Sequence, residues 1–435
     1  MKKTIIILFL AIAGITVSAQ TGHLMQGVGA FNMSMGGAAT GQALDINGAL
    51  QWNSAAISQF DKTIITVDVG LMFSSPTLYS TVQTQNGPYS GSTDSELGAS
   101  PLPSLAVVFG KEDSKHTFGI SMFGVSGFGV DFPQSSTNPI NFPQDQGGFG
   151  HIKSAYMLMQ IGLTYSYALT EKLSIGIEPV FNYESLKVWP NPLANPSLIK
   201  GYPNSDNASA VGVGGQVGLY YGGKEGFKAG VSYKTEQFFK EYTFENTYLD
   251  GTEAPENSFK MNFPAIFSAG IGFSGGLFDL ALDYRHVFYS GTEGFEAKGW
   301  TIGDNGFPTG AVAGFGWQDM DVISAGLQFK ALKVLPVRVG YTYNSNPIDP
   351  ELAMYSVSAT AVIKHAVQVG LGFNIGDVVA INATYHHGMS GDKTSGQLLN
   401  PMMISPDNPY GAVPDSEVAY DMTTDLIMLG ASFSF

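Results

Sequence analysis

The chain has 435 residues, of which 44% are hydrophobic and 13% charged, with a formal net charge of −15, 54 glycines and no cysteine. Soluble domains carry about 25% charged residues, so this chain is poorly suited to meeting water on every side. The missing cysteines exclude disulfides and thiolate chemistry, and an acidic chain whose arginines are Arg285 and Arg338 alone lacks the basic surface a nucleic-acid partner needs.

The first element is a leader. Residues 1–19 carry Lys2 and Lys3, an apolar run from Ile5 to Ile15, and Val17-Ser18-Ala19 as a small-residue cleavage site, the layout of a secretory signal peptide. The run is shorter than the roughly 20 apolar residues of a membrane-spanning helix. No later stretch qualifies as such a helix, so a membrane-embedded mature chain must be a barrel. Residues 20–60 lack alternation and are rich in Gly, Ala, Asn and Ser. Gly36, Gly37, Ala38 and Ala39 permit close backbone contact, as a segment tucked inside a lumen needs. The other reading is a disordered leader, against which stand Phe31, Met33, Met35, Leu44, Leu50 and Trp52, which give the segment apolar surface to bury.

From residue 61 to 435 the pattern has period two. Ile65, Val67, Val69, Leu71 and Phe73 alternate with polar or small residues, as do the odd-numbered residues of 155–169 and Val367, Val369, Leu371, Phe373 and Ile375. Such segments begin near 62, 102, 116, 153, 173, 209, 226, 260, 277, 320, 335, 364, 377 and 420, an even number of 14. Connections alternate between short turns, such as "TEK" and "GD", and long loops at 74–101, 126–152, 188–208, 246–259, 291–319, 345–363 and 391–419. The expectation is an all-β fold, a 14-stranded antiparallel transmembrane β-barrel of the bacterial outer membrane, short turns inside and long loops outside. The odd-numbered face of 155–169 then meets lipid.

Several residues stand out along this wall. In the ninth segment Phe278, Leu280, Leu282 and Tyr284 form a lipid face, which points Asp279, Asp283 and Arg285 into the lumen, and Arg338 points inward between Val337 and Val339. Such a guanidinium either binds a ligand carboxylate through paired hydrogen bonds or forms an ion pair with Asp279, Asp283 or Asp45 that holds an internal segment to the wall. "GIGFSG" at 270–275 lies in an alternating strand without a following helix, which excludes nucleotide binding there, and His386-His387 point to opposite faces. No G-x-S-x-G elbow is present, which leaves a lipase assembled from Ser, His and Asn of separate strands as a minor alternative; no catalytic residue, metal or cofactor is expected. The final "DLIMLGASFSF" puts Phe433 and the terminal Phe435 on one face, resembling the signal by which outer-membrane barrels are recognised for assembly.

Taken in order, "GVGAFNMSMGGAATGQALDINGALQWNSAAI", "FPAIFSAGIGF" leading to "LALDYRHVFYSG", and "LPVRVGYTYNSNPID" resemble the FadL-type family of outer-membrane transporters for long-chain fatty acids and aromatic hydrocarbons. The resemblance implies that residues 20–60 form a hatch, with a motif at Gly36, Gly37, Asn53, Ser54 and Ala55, inside a monomeric barrel that is not an enzyme. Ser54 stands where the family has proline, so the fixed backbone angle is missing there. It further implies capture of a hydrophobic small molecule by outer loops, passage beside the hatch, and sideways release into outer-membrane lipid where the third strand kinks. Candidates for that opening are Gly119, Phe123, Gly124 and Gly127, where a bulge is cheap. Candidates for capture are Phe128, Phe132, Phe142 and Phe149, which otherwise pack loops together. The barrel-assembly machinery is the implied partner of Phe433 and Phe435. Two alternatives remain at this point: a general porin, disfavoured by the shortage of arginine, and a binding or scaffold role in protein secretion.

Overall fold

Side chains that alternate along each strand put apolar residues on one face and small or polar ones on the other, and closing such a sheet leaves no unpaired edge. The computed structural model describes residues 23–435, so the signal-peptide reading of 1–19 lies outside the described residues. Fourteen antiparallel strands form the wall: β1 (Thr63–Thr84), β2 (Ser100–Phe109), β3 (His116–Phe132), β4 (Ile152–Ala168), β5 (Leu173–Trp189), β6 (Ala208–Tyr221), β7 (Gly226–Lys234), β8 (Ala265–Ser274), β9 (Phe278–Phe288), β10 (Met320–Phe329), β11 (Val337–Asn344), β12 (His365–Ile375), β13 (Val379–Met389) and β14 (Glu417–Ser434). Sequential strands pair, and the sheet closes where β1 runs antiparallel to β14 from Ile64↔Ser434 to Thr81↔Glu417.

The outward side chains are apolar and uncovered. Val67, Val69, Leu71 and Phe73 on β1 are 44–52% exposed, while Thr66, Asp68 and Ser74 between them are buried. On β4, Ile161 and Leu163 face out, and Gln160, Thr164 and Ser166 face in. Among the described residues no second layer covers the apolar face, the surface a barrel turns to lipid.

Most of the expected loops are partly strand, three of them over several residues. β1 continues past residue 74 to Thr84 and pairs with Gly87–Asp94 through a turn at Asn86-Gly87. β3 continues to Phe132, and a hairpin of Tyr242–Thr247 with Glu253–Phe259 occupies the fourth long connection. The β1 extension and the hairpin lie beyond the apolar belt, where nothing forces an apolar outer face, and the β3 extension is buried on both faces, so the alternation that marks a span is missing from each.

Residues 23–60 fill the lumen. Helix α1 (Gly29–Ser34) and helix α2 (Ile46–Trp52) are followed by a 3-10 turn at Ser54–Gln59. Asp45 caps α2 by accepting from the amides of Asn47 and Gly48. The Asn53 side chain accepts from the Ala55 amide at 3.1 Å and so starts the 3-10 turn without a proline at Ser54.

Candidate functional site

The hatch is tied to many strands by side chains that the alternation aims inward. Asp283 accepts the amides of Ala39 and Thr40, both at 2.8 Å, and Arg285 donates to Asp283 at 3.0 Å and to the Gly37 carbonyl at 2.5 Å. The Arg285 guanidinium also lies 3.7 Å from the centre of the Trp52 ring. Asp68 accepts the Ala30 amide and the Asn47 side chain, each at 2.8 Å. Ser166 and Ser174 both donate to the Ala55 carbonyl, Ser232 to Trp52, and Thr342 to Gly36.

Wall glycines make this closeness possible. A Cβ on Gly176, Gly218, Gly230 or Gly340 would overlap hatch atoms of Ser54, Asn53, Thr40 or Gly36 respectively. Gly36 is itself required, since it combines a φ of +68° with contact against the Ala325 and Tyr341 backbone.

Arg338 sits apart from the acids expected to pair with it. It donates to Gln328 at 2.7 Å and Asn382 at 2.9 Å and stacks 3.6 Å over the Phe31 ring. Lys330 takes Asp279 at 2.9 Å, and Asp45 serves its own helix cap. Of the expected ion pairs, only Arg285–Asp283 forms among the described residues.

The wall is interrupted at β3. Its ladder with β2 ends at Ser104↔Phe123, and its ladder with β4 skips one residue between Gly124 and Ser126, making Val125 the extra residue of a bulge. Above that point Phe123 through Val130 are buried on both faces, so the strand bends inward from the wall. The freed backbone groups turn to the hatch: Met25 donates to the Val125 carbonyl at 2.9 Å, and Gly127 donates to the His23 carbonyl at 3.0 Å. The facing stretch of β2, Pro101 to Pro103, keeps its register with β1 and has none with β3 among the described residues. It contains Pro101 and Pro103, which lack the N–H of a ladder residue. Beside the interruption Met25, Met33, Met72, Leu102, Met157 and Met428 are buried together. Of the expected opening residues, Phe123, Gly124 and Gly127 are at this place. Gly119 is not: it sits in an unbroken ladder under Leu50 of the hatch.

Outside the membrane the long loops enclose two adjoining cavities. A cavity of about 370 Å³ and a narrower one of about 50 Å³ share Ile140, Phe149, Tyr202, Trp300 and Met354 as lining. Burial pushes the Tyr202 phenol up to about 12. Phe149 is the one expected capture residue in this lining. Phe128 and Phe132 are buried on β3, and Phe142 packs against Tyr89 with ring centres 5.8 Å apart. Trp300, Tyr202 and Met354 were not singled out from sequence, because residues so distant along the chain meet only when the loops fold over. A larger concavity of about 540 Å³ lies among outward side chains of β8 to β11, including Ile271, Leu280 and Leu327, on the lipid face.

A closed barrel with an apolar belt and an internal hatch defines a transmembrane protein of the bacterial outer membrane. Residues 10–412 match the sequence profile of the outer membrane protein transport protein family (OMPP1/FadL/TodX), and the chain belongs to that family. Its fold is similar to the Pseudomonas putida toluene transporter TodX, at 17% identity and a TM-score of 0.67 over 94% of this chain and 99% of that one. A Pseudomonas aeruginosa FadL homologue superposes with a TM-score of 0.69 at 13% identity, over 97% and 100% of the two chains. The monoaromatic hydrocarbon channel CymD gives 0.59 at 16% identity, over 94% and 98%. No curated protein matches the sequence.

Proposed function

We propose that the protein is a passive channel for hydrophobic small molecules, long-chain fatty acids or aromatic hydrocarbons, that releases them sideways through the wall at β3. The observation that carries this reading is the pairing of two features: a hatch held from many sides, and a broken ladder lined by methionine and leucine beside it. A hatch so anchored is a poor candidate for ejection into the periplasm. An apolar solute leaving along the axis would also lose about 0.8 kcal/mol of burial per methylene exposed to water, whereas a gap in the wall passes it directly to lipid. Methionine suits such a lining because its unbranched, polarizable side chain adapts to differing shapes. The loop cavities supply the capture step, in line with relatives whose names state toluene or monoaromatic hydrocarbon transport. Arg285 and Arg338 act in this reading as hatch supports, since each already has protein partners.

Deleting Val125 removes the extra residue, makes the ladder of β3 with β4 continuous and straightens the inward bend that opens the wall. Expected is a folded barrel, shown by heat-modifiable gel mobility, with hydrocarbon uptake into cells lost. Normal uptake by that variant rejects lateral release at β3.

A further inference from the structure

In a chain with a formal net charge of −15, the outer ends of β3, β4 and β5 gather cations on their outward face. The register sets Lys153 of β4 opposite Asp131 of β3 on one side and opposite Trp189 of β5 on the other. Lys187, one outward position before Trp189, lays its Nζ 4.2 Å from the centre of the indole. The His151 ring stands edge-on to the same indole at 6.2 Å, and the indole Nε1 donates to the Ser205 carbonyl at 2.8 Å, which fixes its plane. Three groups able to carry positive charge thus surround one tryptophan. Asp131 accepts from Lys153 at 2.6 Å and bonds His151 at 2.5 Å, whereas Lys187 has no ion pair among the described residues. Glu96, whose amide donates to the Asp131 carbonyl at 2.8 Å, pairs with neither lysine.

These side chains stand where the headgroups of the outer leaflet begin. The outward face of β5 is apolar and exposed at Ile175, Ile177, Phe181 and Tyr183, and that of β4 at Leu163 and Ile161; Lys187, Trp189 and Lys153 continue the same faces beyond the apolar belt. They are open from that side, since the side chains of Lys153 and His151 are 35% and 43% exposed. Across the barrel the same rim carries acids instead, Asp321 of β10 and Asp425 of β14, each bonded to a histidine. Position and charge together specify the partner. An ammonium that rests on an aromatic face keeps its charge for an anion, and tryptophan is favoured where acyl chains meet headgroups. We propose that the cluster binds the phosphate headgroup of an outer-leaflet lipid, with Lys187 and Lys153 donating to the phosphate and Trp189 lying at the boundary with the chains. That lipid sits on the strands next to the β3 bulge and holds the bilayer surface at a set height beside the gap.

Trp189 supplies the readout, because Trp52, Trp300 and Trp317 are buried and quenchers in the lipid reach the half-buried Trp189 first. The full chain is reconstituted in phosphatidylcholine vesicles that carry phosphatidic acid or phosphatidylcholine with acyl chains brominated near their carbonyl ends. Quenching is read against the same protein in unbrominated lipid. Expected is a preference for the anionic lipid of about fivefold, the size of one unpaired lysine at an anionic surface. Lys187→Gln should remove most of it, and Lys187→Gln with Lys153→Gln should make the two lipids equal; both positions are on the exposed rim, so the barrel should still fold. Inorganic phosphate, added at constant ionic strength, should leave the preference unchanged. Equal quenching by the two lipids in the wild type, or a preference that survives the double substitution, overturns the site. A preference abolished by millimolar phosphate assigns the cluster to a free anion and overturns the lipid as its partner. The outcome is independent of the channel reading, since no solute takes part in the measurement.

Discussion

Asp283 carries more of the hatch than any other single side chain of the wall. Its carboxylate is 0% exposed and faces an Arg285 side chain that is 2% exposed, and it accepts two hatch amides besides. Asp283→Leu removes these acceptors together. Each buried amide left unpaired costs about 1–3 kcal/mol, and breaking a buried ion pair from one side costs about 3–5 kcal/mol. These terms overlap because they share one carboxylate, so the hatch should lose about 4 kcal/mol against the wall, near a thousandfold in its local release. The barrel ladder does not use this side chain and should stand. The assay is hydrogen exchange of the solubilised protein: amides 37–41 should lose protection by about that factor while the strands of the wall keep theirs. Adding Arg285→Leu should recover part of the loss, since no charge is then left unpaired. Unchanged protection at Ala39 and Thr40 in the single variant would refute the anchoring role.

The remaining expectations follow from the same contacts. Gly340→Val places a side chain where the Gly36 amide lies, so it should raise exchange across 34–38 and increase ion conductance in planar bilayers; unchanged values on both would show that the hatch tolerates the bulk. Arg338→Met should change fatty-acid and hydrocarbon binding alike, because the guanidinium is spent on Gln328, Asn382 and Phe31; a loss confined to the fatty acid would restore the carboxylate role. Deleting Phe435, which is 71% exposed beyond the last rung of β14, should lower the amount of barrel in the outer membrane and leave the spectrum of the folded fraction unchanged. Normal insertion would remove its role as an assembly signal.

The wall was legible because lipid imposes a rule on every second residue. Val67, Val69 and Leu71 or Leu280 and Leu282 announce their face without reference to any partner. The hatch contacts were not legible, since Gly230 and Thr40 or Asp283 and Ala39 are far apart in the chain and a glycine in a glycine-rich strand carries no mark of what it touches. The β3 interruption was half visible. The glycines of "TFGISMFGVSGFG" pointed to the right strand, yet Gly119 proved to be a packing position, while the clearer sign was Pro101 and Pro103 in the neighbouring strand. The loops misled because Phe128 stands between Gly127 and Gly129 and Phe132 precedes Pro133, a loop-like composition, although both belong to an inward-bent strand. Asn86-Gly87 was a hairpin signal of the usual kind, and it marks the turn that extends the first hairpin above the membrane.

The central claim is that solute leaves through the gap between β2 and β3, and a reversible crosslink there tests it most directly. Pro103 and Gly124 are the positions just above the last rung, Ser104↔Phe123. With Pro103→Cys and Gly124→Cys in a chain that has no native cysteine, oxidation joins the two strands and reduction frees them. A control pair at Ile271 and Leu282, whose side chains face outward, bridges the intact β8–β9 ladder. The account expects uptake of labelled hydrocarbon to stop on oxidation of the first pair, to return on reduction, and to be indifferent to the second. Full uptake with the Pro103–Gly124 crosslink shown to be formed would contradict it.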